Sequence, residues 1–273
     1  MPSVKAFQKI IKDYYSKQGR TFPWRETRNP YKILVSEIML QQTQAPRVVE
    51  KYRSFIKRFP SVASLASAKT IDVFKEWQGL GYNRRGLALK KAAEIIVNEY
   101  HGKVPNSLES LLSLPGVGPA TAGDILAFAW NQPSIVIETN IRSVFIHFFF
   151  RDTTNIADSE ILPLIQKTLD RKNPREWYFA LMDYGAFLKK NHLNPSRRSK
   201  QYSPQSPFSG SNRELRSKIL RYIIAYSKQP LENIVESLQA DKESIEKNLR
   251  ALVKEGLLQK QMYRKKDYFS IPS

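Results

Sequence analysis

The chain is predicted to be mainly α-helical, closing with a small α+β module. Three observations carry that expectation. Apolar residues recur at helical spacing through roughly the first 200 of the 273 residues, and almost never alternate at the period of two that a half-buried strand needs. The stretches between these periodic segments are short and hold Gly or Pro, as helix ends do. Only beyond Gly256 does the texture change to strand, basic turn and strand.

In chain order, the spacing predicts helices over residues 4–18, 30–40, 45–59, 61–68, 71–78, 83–99, 107–113, 119–130, 139–150, 158–169 and 174–188. Between Lys189 and Arg221 the composition shifts: Pro195, Pro204, Pro207 and Gly210 occur among serines and nine Lys or Arg, against one acid, Glu214. Residues 189–211 are therefore expected to form a basic linker or extended arm between a helical body, 1–188, and a second module, 212–273. The second module reads as helices over 212–226, 231–238 and 241–255, then a hairpin over 257–271, and so resembles a winged helix. Its third helix sets Lys242, Lys247, Arg250 and Lys254 beside Asp241, Glu243, Glu246 and Glu255, a balance poorly suited to phosphate contact. The turn Arg264-Lys265-Lys266 suits a nucleic-acid backbone better. An auxiliary DNA clamp and a structural or protein-contacting cap are both open.

Lys and Arg number 44 against 25 Asp and Glu, a formal charge of +19. That excess points to a polyanionic partner, most commonly nucleic acid. A membrane surface would call for a long apolar run or a basic amphipathic anchor, and neither is found. The first residues hold no signal-peptide core, so an intracellular protein is expected. The absence of cysteine excludes disulfides, thiolate zinc sites and cysteine-held iron–sulfur clusters. His101, His147 and His192 lie far apart, so no metal centre is expected and the chemistry must run on carboxylates and hydrogen bonds.

Glu37 stands in the apolar run Tyr31-Lys32-Ile33-Leu34-Val35-Ser36-Glu37-Ile38-Met39-Leu40, followed at once by Gln41-Gln42-Thr43-Gln44. Burial without a partner costs a carboxylate several kcal/mol or forces it to hold its proton. A proton held near neutral pH is what a general acid requires. The alternative is a glutamate that reaches solvent, Arg25 or Arg28 and only stabilises its helix. Further on, Leu114-Pro115-Gly116-Val117-Gly118-Pro119 lies between two amphipathic helices and has the form of a helix-hairpin-helix element. Amides at the start of its second helix can hold a phosphate without reading sequence. A plain turn is the alternative. In Ile135-Val136-Ile137-Glu138-Thr139-Asn140 a second acid stands where a new helix begins, either as a helix cap or as a partner for Glu37.

Together these pieces resemble the helix-hairpin-helix superfamily of base-excision DNA glycosylases, over residues from about 19 to 188. Within it, Phe22-Pro23-Trp24-Arg25, Pro30-Tyr31, the Ser36 to Gln44 block, Gly79-Leu80-Gly81-Tyr82, the hairpin, Thr121-Ala122-Gly123 and Leu181-Met182-Asp183-Tyr184-Gly185-Ala186 are similar to the MutY-type adenine glycosylases. The resemblance implies a six-helix-type lobe near 31–137, a second lobe from 1–30 and 138–188, and a base-flipping pocket in the cleft. It implies that Glu37 protonates a ring nitrogen of the flipped purine. Glu138, supported by Asn140, would stabilise the oxocarbenium-like sugar or guide the water. It implies wedges at Gln42 and Tyr82, and pocket lining or support from Arg20, Trp24, Arg25, Leu40 and Thr43. Gly116, Val117, Gly118 and Thr121 match the phosphate-binding hairpin, whose carbonyls leave room for a monovalent cation.

Three departures accompany the resemblance. Glu138 aligns with an aspartate of the family and carries a longer arm, by about 1.5 Å. Ala120 stands where bifunctional relatives carry a Schiff-base lysine, and where many adenine-specific members carry Tyr or Ser, so strand cleavage is not expected. The family's iron–sulfur cluster follows the Leu181 to Ala186 motif, where this chain has no cysteine; Lys189, Lys190, Arg197 and Arg198 are expected to keep that surface positive. The family's domain for sensing oxidised guanine is expected to be replaced by the winged-helix-like module. The expectation is a monomeric, monofunctional glycosylase that needs no metal or other cofactor. Its partner would be double-stranded DNA with a lesion or mismatch, first of all adenine opposite oxidised guanine or guanine. The alternatives are a mismatch thymine or uracil glycosylase on the same scaffold and a non-catalytic, damage- or structure-sensing DNA-binding protein.

Overall fold

The computed structural model describes residues 2–205 and 207–272. Its helices are, in order, α1 (Val4–Gln18), α2 (Pro30–Leu40), α3 (Ala45–Arg58), α4 (Val62–Ala66), α5 (Thr70–Trp77), α6 (Arg84–Glu99), α7 (Leu108–Leu112), α8 (Pro119–Trp130), α9 (Thr139–Phe149), α10 (Asp158–Thr168), α11 (Pro174–Asn191), α12 (Asn212–Tyr226), α13 (Leu231–Leu238) and α14 (Lys242–Lys254). Short 3-10 turns occupy Pro23–Arg25 and Pro195–Arg198, and the strands are β1 (Gln229–Pro230), β2 (Gln259–Tyr263) and β3 (Lys266–Ser270). The chain is thus mainly helical, as expected, and each predicted helix is present with ends shifted by at most a few residues. Among the described residues no helix is long and apolar enough to cross a membrane.

Two compact units form. The first holds the described residues of Met1–Ile38 and Val104–Pro204. Its centre is an aromatic cluster in which Phe7 of α1 meets Phe145, Phe148 and Phe149 of α9 and Trp177 of α11, ring centroids 5.1–5.8 Å apart. Helices α9 and α11 approach closely because residue 185 is glycine: a Cβ there would lie 2.3 Å from the Asn140 carbonyl oxygen. Gly185→Ala is expected to lower stability by about 1–3 kcal/mol through overpacking, read by thermal melting. Unchanged melting would show that α9 can yield.

Helix α8 joins this unit, not a lobe with the preceding helices: Phe128 stacks on Phe179 of α11 at 4.5 Å, and Gly123 leaves the space that Val136 fills. The lobe boundary expected near residue 137 therefore does not separate the compact units.

The second unit holds Met39–Lys103 with the described residues of Gln205–Ser273. Its C-terminal sheet is antiparallel in the order β1-β3-β2, with Gln229 opposite Phe269 and Lys260 opposite Phe269 on the other side. Strand β1, two residues long, carries no readable alternation and is missed from sequence. Ile219, Ile223, Ile245, Leu249, Leu252 and Phe269 form one apolar cluster with Phe74 of α5 and Leu87 of α6, and Gly256 packs near Leu87. Residues 212–273 thus share a core with α5 and α6. The segment read as one linker, 189–211, divides: residues to Pro204 cluster with the first unit, and the described residues from Gln205 with the second.

Candidate active site

Helix α2 is buried all round, with Ile33, Leu34, Val35, Ile38 and Met39 at most 1% exposed, and Glu37 is 8% exposed among them. Burial raises the Glu37 carboxyl to about 7, against a hydrogen bond from Ser36 Oγ at 3.4 Å and the charge of Arg25; the charge of Glu138 adds to the rise. Arg25 affects Glu37 only through space, because its guanidinium is given to Asp183, with Nη1 and Nη2 at 2.9 and 2.8 Å from the two carboxylate oxygens. The bland alternative of an ion-paired structural glutamate is therefore not what forms.

Glu138 caps α9: its Oε1 accepts from the amides of Asn140 and Ile141 at 2.8 and 2.9 Å. The extra methylene is folded back to reach its own helix. Its Oε2 accepts from Asn140 Nδ2 at 3.2 Å, and Asn140 Oδ1 accepts from Lys189 Nζ at 2.8 Å. Lys189, expected on a DNA-facing surface, is thereby turned inward, and burial lowers its ammonium.

A third carboxyl, Asp124 of α8, is 6% exposed, and its Oδ1 has no hydrogen-bond partner. Burial first, then the charges of Glu37 and Glu138, raise it well above the usual carboxylate range. Sequence reasoning passes over Asp124, although it stands in the apolar run Ala120 to Ala129 with the same signal that exposes Glu37.

Arg20, from Nη2 at 2.6 Å, joins Arg25 in pairing with Asp183, and Trp24 is buried with its ring stacked on Phe22 at 4.9 Å. These side chains brace the first unit around the 3-10 turn.

In the second unit, Gln42 and Tyr82 both adopt left-handed backbone, φ 54° and 49°. Strained non-glycine residues of this kind concentrate at functional sites. Both are exposed. Arg85, another residue not singled out from sequence, ties their two turns together. It donates to the carbonyls of Met39 and Gln41 and to Thr43 Oγ1 on one side, and to those of Leu80 and Gly81 on the other. Its guanidinium also sits 5.3 Å from the Tyr82 ring, and burial lowers it to about 10. The Tyr82 hydroxyl accepts from Gln205 and, at 3.2 Å, from Arg213. Leu40, which ends α2, is half-buried.

The hairpin turns at Gly116, φ 81°, a left-handed value that favours glycine, and Gly118 begins α8 without a side-chain cap. Of the residues matched to phosphate binding, Gly116 and Gly118 are exposed, whereas Thr121 is buried and the Val117 amide is committed to the Leu114 carbonyl at 3.1 Å. Ala120 is half-buried. On the wing, Arg264, Lys265 and Lys266 are all exposed, as are Lys190 and Arg197.

A helix-hairpin-helix turn and a proton-holding glutamate in one all-helical unit define a base-excision type of DNA repair protein. Residues 35–169 match the model of the HhH-GPD superfamily base excision DNA repair protein, and the chain belongs to that superfamily, within which it is MutY-like. It is 36% identical over 192 residues to the adenine DNA glycosylase of Buchnera aphidicola subsp. Baizongia pistaciae, covering 69% of this chain and 54% of that protein. It is 37% identical over 180 residues to the adenine DNA glycosylase of Mycobacterium tuberculosis H37Rv, covering 63% and 58%. The chain thus spans little more than half the length of these relatives. Among solved structures, a thermostable thymine-DNA glycosylase superposes with a TM-score of 0.60 at 26% identity, over 67% of this chain and 86% of that one.

The iron–sulfur cluster that the resemblance implies does not fit the residues present. The sequence has no cysteine, and the stretch after α11 is organised by Arg198. Its guanidinium donates to the carbonyls of Ile146, Phe150, Arg151 and Thr153, satisfying the C-terminal end of α9. Next to it Ile156 forms a β-bridge with Ser199. Arg198 is thus committed to the fold, a correction to its expected place on a DNA-facing surface.

Proposed function

We propose that the chain is a monofunctional DNA glycosylase that removes adenine paired with oxidised guanine or guanine, without a metal or other cofactor. The observation that carries this reading is Glu37, a carboxyl whose burial keeps a proton on it up to about pH 7. A duplex is drawn to the +19 chain, and the Gly116 to Gly118 turn receives a phosphate without reading sequence. Gln42 and Tyr82, held by Arg85, enter the stack as the target nucleotide turns out. Glu37 then protonates a ring nitrogen of the adenine, and the electron pair of the C1′–N bond leaves with a neutral base. Positive charge develops on the sugar, where the Glu138 carboxylate offsets it, with Asn140 and Lys189 holding that carboxylate in place. Water adds to C1′ and leaves an abasic site.

Ala120 offers no amine to attack C1′, so the backbone stays intact. Duplexes carrying adenine, thymine, uracil or hypoxanthine opposite guanine or oxidised guanine test the reading. Breaks at adenine only after alkali are expected; breaks before alkali would contradict the monofunctional assignment. The thymine-DNA glycosylase superposition favours one second reading, a mismatch thymine or uracil glycosylase, which predicts alkali-dependent breaks at pyrimidines alone. Binding without release at any base would leave a non-catalytic DNA sensor.

A further inference from the structure

Asp124 has no part in the steps above, yet its placement is constrained from three sides. Gly123, its neighbour in α8, leaves room for Val136, and the Gly123 carbonyl accepts from Ser134 Oγ at 2.7 Å. Tyr178 of α11 clamps the same strap, donating to the Ser134 carbonyl at 2.5 Å and accepting from the Val136 amide at 3.2 Å. The strap then runs straight into Glu138. Asp124 is more than nine-tenths buried behind it, with Oδ1 unpartnered.

An unpartnered buried oxygen on a carboxyl is costly unless it serves something. The groups whose charges or contacts bear on Asp124 and Glu37 are Arg25 from the 3-10 turn, Ser36 from α2, Glu138 at the start of α9 and Tyr178 from α11. Arg25 is neutralised by Asp183, and Lys189 is drawn to the Glu138 side through Asn140. Negative charge therefore settles on Glu138, which has two amides and the Asn140 side chain to solvate it. Three carboxylates in one dry pocket cannot all ionise.

We infer that Asp124 is a positioning residue that shares a proton store with Glu37, reloading it after each base leaves. This rests on the glycosylase reading. Glu37 gives its proton to the departing base and becomes a carboxylate. Asp124 passes its proton to Glu37 through a hydrogen-bonded water, and the proton shed by the water that attacks C1′ refills Asp124. Base, sugar hydroxyl and both acids then balance.

A store of two sites loses its protons in two steps. Single-turnover release of adenine by the wild-type chain should therefore fall off with rising pH along a broad, two-step limb. Asp124→Asn should collapse this to one step at lower pH, so that its rate deficit relative to wild type grows about tenfold between pH 6 and pH 8. A deficit equal at every pH would mean a structural role only and overturn the inference. So would a single-step limb in the wild type, a measurement that stands even if Asp124→Asn fails to fold. Failure of the glycosylase reading is distinct: the wild type would then release no base at any pH.

Discussion

Glu37→Gln abolishes adenine release in single turnover while leaving duplex affinity in place: a loss on the order of 10²–10⁴-fold is expected from removing a general acid. The amide keeps the shape and the polarity that Ser36 meets but has no proton to give. In the wild type the rate should decline as pH rises through about 7, where Glu37 gives up its proton. The same variant makes a stability prediction of definite sign. An unfolded glutamate titrates near 4.5, and the folded one at about 7, so the folded state holds the proton more tightly. That contribution is full below about 4.5 and is lost as pH climbs to about 7, a cost of roughly 3 kcal/mol to the wild type above neutrality. Glu37→Gln should therefore melt higher than wild type at pH 8, with the gap closing toward pH 4. Retained base release, or a melting gain at pH 4 equal to that at pH 8, would remove Glu37 from the role of buried acid.

Glu138→Gln tests the second carboxylate, and its consequences follow from hydrogen-bond polarity. Lys189 donates to Asn140 Oδ1, which fixes Asn140 with Nδ2 toward Glu138. A glutamine can still cap α9 with its carbonyl oxygen, but its amide nitrogen then meets another donor. Loss of the charge should slow base release by about 10²–10³-fold, whereas the cap, partly kept, should cost no more than about 1 kcal/mol. Rate and melting temperature are measured together: a wild-type rate with lowered stability would reduce Glu138 to a helix cap.

The helices were legible because periodicity and Gly or Pro punctuation are local. Glu37 was legible for a related reason: a carboxylate amid Ile33, Leu34, Ile38 and Met39 contradicts its neighbours. Asp124 makes the same contradiction between Ala122 and Phe128, but its weight comes from standing near Glu37 and Glu138, which no spacing in the chain announces. Arginines were the least legible. Arg85 and Arg198 read as part of the +19 surface, yet both spend their donors on carbonyls from segments about 40 to 50 residues away. Lys189, in the same basic stretch as Arg198, turns to Asn140.

By itself the sequence determined the helical class, the superfamily motifs, the proton-holding character of Glu37 and the lack of any thiolate ligand, since each depends on residue type and near neighbours. The tertiary structure alone decided which cations are surface and which are staples, that residues 212–273 share a core with α5 and α6, and that Glu138 bends back to cap its own helix. Those outcomes depend on which backbone oxygens and apolar faces arrive beside a side chain, and only the packed chain brings them there.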